Sequence, residues 1–229
     1  MDYTNLIFPA MFIIGIATLI FLGIYYSPKH KILRQLKKTR RKNIQSVREH
    51  EYVKIVGNAK HVGKPLIAPL SKRECVYFEV IVKENKGKQW RNVIKDVQFQ
   101  DFFIQTGTES AVLHLNARRE FEKLIHLVTD HSFHSRVFNN TNAAIVQYLN
   151  EHGIKDKSIF GMNKPLQYQE RIIEVNEEIA IMGIGNWQII DTPMDSYSDG
   201  RILVLSGTKE QRLLVTDEPK AMKRVKRKL

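Results

Sequence analysis

Cysteine occurs once in the 229 residues, at Cys75. A single cysteine excludes an intramolecular disulfide and any zinc site of the four-cysteine or RING kind. The phosphate-loop pattern G-x-x-x-x-G-K-[ST], the dinucleotide fingerprint G-x-G-x-x-G and the nucleophile elbow G-x-S-x-G are also missing. Acidic residues are missing from two stretches. Lys29–Arg48 holds nine basic residues and no acid, and Lys220–Leu229 holds six more and no acid. These runs take 15 of the 36 basic residues, leaving 21 in Glu49–Pro219 against 23 of the 24 acids, so the body is near −2 although the whole chain is +12. The pI of 9.7 therefore belongs to the flanks, and a body close to neutral disfavours nucleic acid as its partner.

One long hydrophobic run is present. Asp2 and Lys29 bracket 26 residues without a charge. Its most apolar part, Leu6–Tyr26, would rise about 31 Å as a helix, which matches the ~30 Å hydrocarbon core of a bilayer. Pro9 falls in the first turn, where a missing N–H matters little, and Tyr25 and Tyr26 suit an interfacial aromatic belt. A cleaved signal peptide would need a basic start and an A-x-A-like site; residues 1–5 hold no Lys or Arg, and IYYSPKH has no such site. The reading is a retained anchor over 1–28. The nine basic residues after it place the body in the cytoplasm and the N-terminus outside, which in a bacterial cell means the inner membrane. Residues 29–50 then read as a basic juxtamembrane helix. Lys37, Lys38, Arg40, Arg41 and Lys42 are its candidate contacts to anionic lipid headgroups, against the plainer reading of a solvated stop-transfer flank.

From Tyr52 the pattern turns to strands. Tyr52–Val56 alternates around Lys54, Val76–Val82 and Val97–Gln105 are rich in β-branched and aromatic residues, and Ser110–Leu115 returns after a Gly107–Thr108 turn. Residues 118–129 suit a helix or a strand. Asn142–His152 reads as a helix stopped by Gly153. Strands resume at Tyr168–Val175, Ile179–Ile190, Arg201–Leu205 and Arg212–Thr216, with Lys209 and Glu210 in a last hairpin turn. The fold class expected is mostly β (α+β): one membrane helix, then a barrel-like domain over 51–219 with one short helix, then a basic tail over 220–229.

The segment Pro65–Glu84, PLIAPLSKRECVYFEVIVKE, resembles the signature of the GIDE, or Beside-A-Membrane, domain found in mitochondrial ubiquitin ligases and in bacterial membrane proteins. Gly57–Val62, Trp90, Phe99–Gly107 and Gln169–Gly185 resemble further parts of that pattern in the same order. The resemblance implies a membrane-anchored β-rich module without established catalytic residues. Ligases of that family carry a RING after a second membrane helix; neither is found here, so ligase activity is not implied. The family's glycine between its last strand pair is Asn176 here. In the mitochondrial members the domain faces the intermembrane space, whereas the charge rule here points to the cytoplasm.

Candidate chemistry is sparse. Cys75, just before an apolar strand, reads as a small buried residue. His126, His131 and His134, with Asp130, are the densest metal-like group, but they match no zinc template, and a strand would put His131 and His134 on opposite faces. Gly183 and Gly185 read as close packing inside a strand. Asp191, Asp195 and Asp199 lack calcium-loop spacing. Pro65 and Pro69 bias the chain toward extended turns, which offers Pro65, Pro69, Ser71, Lys72 and Arg73 as a partner-binding edge or, equally, as a packed corner. The expected function is non-catalytic binding or scaffolding at a membrane surface, with the bilayer and another protein as partners and no cofactor. The alternatives are a membrane-anchored enzyme, such as a metal-dependent hydrolase, whose site is scattered in sequence, and an OB-like nucleic-acid binder around Trp90 and Arg91.

Overall fold

The computed structural model describes residues 4–87, 89–115, 122–134, 143–155, 164–189 and 200–223. The chain is mostly β. Strand β1 (Glu51–His61) pairs with β10 (Glu178–Ile189) on one edge and β5 (Phe102–Thr106) on the other. Strand β5 continues to β6 (Glu109–Leu113), which pairs in parallel with β11 (Arg201–Ser206), and β11 returns to β10. These five strands close a mixed barrel. Its interior holds Val53, Ile55, Phe102, Ile104, Leu113, Ile179, Ile181, Leu203 and Leu205, all buried.

The second sheet is centred on β3 (Glu74–Asn85). Strand β4 (Trp90–Phe99) and the short β2 (Leu66–Ile67) share one of its edges, and β9 (Leu166–Glu174) takes the other, followed by β8 (His131–His134). Helix α3 (Ala143–Glu151) covers this sheet, setting Ile145, Tyr148 and Leu149 against Phe78, Val80, Ile94 and Ile172. Gly153, at φ 69°, ends that helix as expected. Asn176 turns β9 into β10 at φ 74°, a left-handed conformation that asparagine tolerates in place of glycine. Gly183 and Gly185 are close-packing positions: a Cβ at 183 would lie 2.9 Å from the Ser206 carbonyl oxygen, and one at 185 would lie 2.8 Å from Val47.

Three expectations are corrected. The run Val97–Gln105 is two strands. Its first part stays with β3 in the second sheet, its second enters the barrel, and Asp101 marks the break by accepting the Leu115 N–H at 3.0 Å. The last strands form no hairpin: β11 and β12 (Leu213–Thr216) both pair antiparallel with β10, one after the other. Strand β12 then pairs in parallel with β7 (Lys123–His126), which makes the ambiguous segment a strand over its described part. The loop Asp191–Asp199 lies outside the described residues.

The third correction concerns 29–50. Helix α2 runs only from Pro28 to Lys38, with Ser27 as its N-cap. Beyond Thr39 the chain is extended, bridges to β1 at Lys54, and sinks Ile44 and Val47 into the barrel core. Tertiary burial of those two side chains overrides the helical tendency of the basic run. Helix α2 also packs onto the body. Ile32, Leu33 and Leu36 are buried against Val56, Ala180, Met182 and Leu214, the outward residues of β1, β10 and β12, and against Ala221 of α4 (Pro219–Met222). Both faces of β1 and β10 are thus covered, which is why they read as nearly continuous apolar runs.

Helix α1 (Thr4–Tyr25) precedes this unit, and its apolar side chains from Met11 onward are exposed. No single helix among the described residues is long and apolar enough to cross a membrane. Met11–Tyr25 and Pro28–Lys38, bent by 60°, meet that test together by length and composition.

Candidate functional site

The segment with the PLIAPLSKREC pattern is a hairpin on the edge of the second sheet. Leu66 pairs with Cys75 and Ile67 with Glu74. The Ala68 N–H donates to the Arg73 carbonyl at 2.9 Å, and Lys72, at φ 60°, donates its N–H to the Ala68 carbonyl at 3.0 Å. Glu170 of β9 closes the turn from beneath. It is fully buried, and its Oε1 and Oε2 accept the N–H groups of Leu70 and Ser71 at 2.8 and 3.0 Å. A carboxylate receiving two backbone N–H groups fixes the loop with charge-assisted hydrogen bonds. Arg73 adds ion pairs to Asp130, at 3.3 Å, and to Glu174. The Asp130 Oδ2 in turn accepts the Ile172 N–H at 2.9 Å.

The proposed edge therefore divides. Arg73 and the Ser71 backbone are engaged with the body, and Pro65, Pro69, Leu66 and Leu70 are partly buried. Lys64, Ile67 and Lys72 remain exposed, with Val62 beside them in the sequence. Cys75 is buried, and its thiol is pushed up to about 12, by burial first and then by the Glu170 carboxylate. It is not a nucleophile at neutral pH.

A group of acids lines the seam between the two sheets. The Glu177 Oε2 accepts the Glu174 N–H at 2.8 Å, and both Asp217 oxygens receive the Val128 N–H, at 2.8 and 3.0 Å. Burial pushes Glu177 up to about 7 and Asp217 up to about 6; repulsion from Asp217 and Asp130 adds to the first shift, and repulsion from Asp130 and Glu218 adds to the second. A carboxyl held protonated near pH 6–7 has the strength of a general acid. Among the described residues no three His, Cys, Asp or Glu side chains are placed to hold a metal. His126 lies on β7 of the barrel-side sheet, while His131 and His134 belong to β8 of the second sheet. The His126 Nε2 is buried without a hydrogen-bond partner; burial, then Lys29 and Arg171, lowers its pKa. Tyr148 donates to Asp96 at 3.1 Å, and His152 Nδ1 meets the Tyr148 carbonyl oxygen at 2.9 Å. That trio ties α3 to β4.

The joint between α1 and α2 is the other built feature. Arg34 reaches back from α2, donating to the Tyr25 carbonyl and lying 3.8 Å from the centre of the Tyr25 ring. The buried Lys54 donates from β1 to the Leu36 carbonyl at 2.8 Å, near the C-terminal end of α2, where a cation suits both the free carbonyls and the helix dipole. Burial, helped by Arg41, lowers the pKa of that ammonium. Of the expected headgroup contacts, Lys37, Lys38, Arg40 and Arg41 are exposed. Lys42 is partly buried and bonded to Glu51 at 2.6 Å. No protein-family model matches the chain, and no curated protein is significantly similar to it.

Sequence reading missed Glu170, Glu177 and Asp217, and weighed Asp130 only beside the histidines. The one local signal was the alternation of LQYQERIIE, which sets Glu170 on the same side as Leu166, Tyr168 and Ile172.

Proposed function

We propose that this protein is a single-span membrane protein whose β body is a non-catalytic binding module held at the membrane surface, in the cytoplasm, as the resemblance to the GIDE-type domain suggests. The observation that carries this reading is the contrast between α1 and α2. From Met11 onward the side chains of α1 are exposed and almost all apolar, an arrangement that suits lipid and not water. The next helix is capped by Ser27, pinned by Arg34 and packed into the barrel. The body is then set at a fixed angle to its anchor instead of swinging on a linker. The exposed hairpin residues Ile67 and Lys72 supply the partner edge.

Two measurements test this. The full chain should stay in the membrane fraction at alkaline pH, and a reporter fused after Leu229 should be active only in a form that works in the cytoplasm. Extraction by carbonate, or activity of an externally active reporter, would overturn the anchor or its orientation. For the partner edge, Ile67→Ser with Lys72→Glu should leave the melting temperature unchanged and remove crosslinks formed from position 64. Persistence of those crosslinks would sink the hairpin's role.

A further inference from the structure

Helix α2 has two faces of opposite character. Ile32, Leu33 and Leu36 mark one pole of the helix, buried on the barrel wall. Turning by about 100° per residue, the helix sets Lys31, Arg34 and Lys38 within about 40° of the opposite pole. Lys31 and Lys38 are exposed and Arg34 is partly buried. His30 and Lys37 flank this stripe, both exposed, and α2 carries no acid. Lys29, on the buried side, is matched by Glu218 at 2.8 Å. Arg34 fixes where the stripe points. Its guanidinium donates to the Tyr25 carbonyl and lies over the Tyr25 ring, at the end of α1. The basic pole therefore turns back toward α1 while the apolar pole turns toward the barrel. The two helices are bent by 60°, so the 11 residues of α2 climb only about 8 Å along the direction of α1, half of their ~16 Å length. With α1 upright in a bilayer, the whole stripe stays within about 8 Å of the headgroup plane, one Debye length at physiological salt.

We propose that Lys31, Arg34 and Lys38 form a stripe that binds the headgroups of anionic phospholipids, with α2 lying between the bilayer and the barrel. This rests on the reading of α1 as a membrane span. Charge complementarity selects the ligand: basic residues in a row beside a span, with no acid among them, are the chemistry that collects anionic lipid. The set differs from the one expected from the basic run. Lys42 is held by Glu51 and Arg41 bridges to β1, whereas Lys31 and Arg34, outside the expected set, owe their place to the bend and to the Tyr25 contact.

The test uses the full chain in nanodiscs of phosphatidylcholine with phosphatidylglycerol. Cys75 is buried, so Gln35→Cys, at an exposed position of α2 between Lys31 and Lys38, supplies the reactive thiol for a fluorophore. A quencher on the upper acyl chain is carried by phosphatidylglycerol in one sample and by phosphatidylcholine in the other, at equal mole fraction. Quenching should be at least about threefold stronger from phosphatidylglycerol. The two should become equal in 0.5 M salt, because exposed charges are screened within a few ångströms there. Lys31→Gln with Lys38→Gln should also make them equal, while Arg34 keeps its hold on Tyr25. Lys95→Gln with Lys209→Gln, exposed elsewhere on the body, should leave the difference intact. Inorganic phosphate at 10 mM and constant ionic strength should leave it too; loss of the preference there would make the stripe a site for a free anion and overturn the proposal. Protein that co-elutes with the disc but is quenched equally by both lipids, or that loses the preference alike in both lysine pairs, refutes the stripe and leaves the anchor standing. Protein that fails to co-elute refutes both.

Discussion

Glu170 is an ionisable side chain with no exposed surface, and its two oxygens hold the backbone of a turn 100 positions earlier in the chain. Removing it would strand the Leu70 and Ser71 N–H groups in a site that offers them nothing else. Hydrogen bonds to a charged group contribute about 1.5–3 kcal/mol each, so Glu170→Ala should destabilise the body by about 3–5 kcal/mol, measured by urea unfolding. Glu170→Gln keeps one acceptor oxygen of the same reach and should lose roughly half as much. The two variants also separate a clamp from a merely buried side chain, since a loss of packing alone would spare the isosteric Gln. If Gln is as damaging as Ala, charge and not geometry holds the turn; if neither matters, the hairpin carries its own stability. Cys75 offers a second reading of the same site. Its thiol should resist maleimide in the native protein and react on unfolding.

At the scale of elements, α2 belongs to the body although its sequence reads as a flank. Ile32, Leu33 and Leu36 are buried on the barrel wall, and at about 1.5–3 kcal/mol per side chain they contribute on the order of 5 kcal/mol. A fragment beginning at Pro28 should therefore melt cooperatively, whereas one beginning at Arg40, which keeps Ile44 and Val47 in the barrel, should lose that amount and Lys54 should lose its partner carbonyl. Equal melting temperatures for the two fragments, by circular dichroism, would show that α2 only rests on the barrel. Much of the fold is legible in the sequence at this scale. The alternation around Lys54, the apolar stretch after Cys75 and the Gly153 stop locate β1, β3 and α3 within a few residues, because each depends on local period or backbone freedom. The break at Asp101, the collinear β11 and β12 and the end of α2 at Lys38 are not legible. Each is decided by which sheet or core a distant segment joins, as when Ile44 and Val47 leave a basic run to fill the barrel. The acids of the site were hidden for the same reason: Asp130, Glu170 and Asp217 meet the rest of the site only after both sheets have formed.

For the whole molecule, the seam acids set how stability follows pH. Asp217 stays protonated up to about pH 6 in the folded chain and Glu177 up to about 7, whereas in the unfolded chain both would ionise near their ordinary values of 3.8 and 4.5. Between those limits the unfolded state is the one that releases protons, so the stabilisation is complete below about pH 4 and is lost as pH rises through 6 and 7. For Asp217 the rise from 3.8 to about 6 corresponds to roughly 3 kcal/mol, with a smaller share from the more exposed Glu177. Glu51 and Glu218 act in the other direction. Lys42 and Lys29 lower their pKa values by hydrogen bonding, so their contribution is present above 4.5 and fades as pH falls through the lowered values. His126, lowered by burial, likewise gives its contribution above about 6.5 and loses it on acidification. Asp217→Asn isolates the seam from these opposing groups, because Asn keeps an acceptor for the Val128 N–H and cannot ionise. The variant should match the parent below about pH 4 and exceed it by about 2–3 kcal/mol at pH 8. The divergence should open between about pH 4 and 6, measured by urea unfolding of the detergent-solubilised chain. Parallel curves across that range would mean that Asp217 ionises as freely in the folded seam as in water, and that the two sheets meet across a solvated gap instead of a buried one.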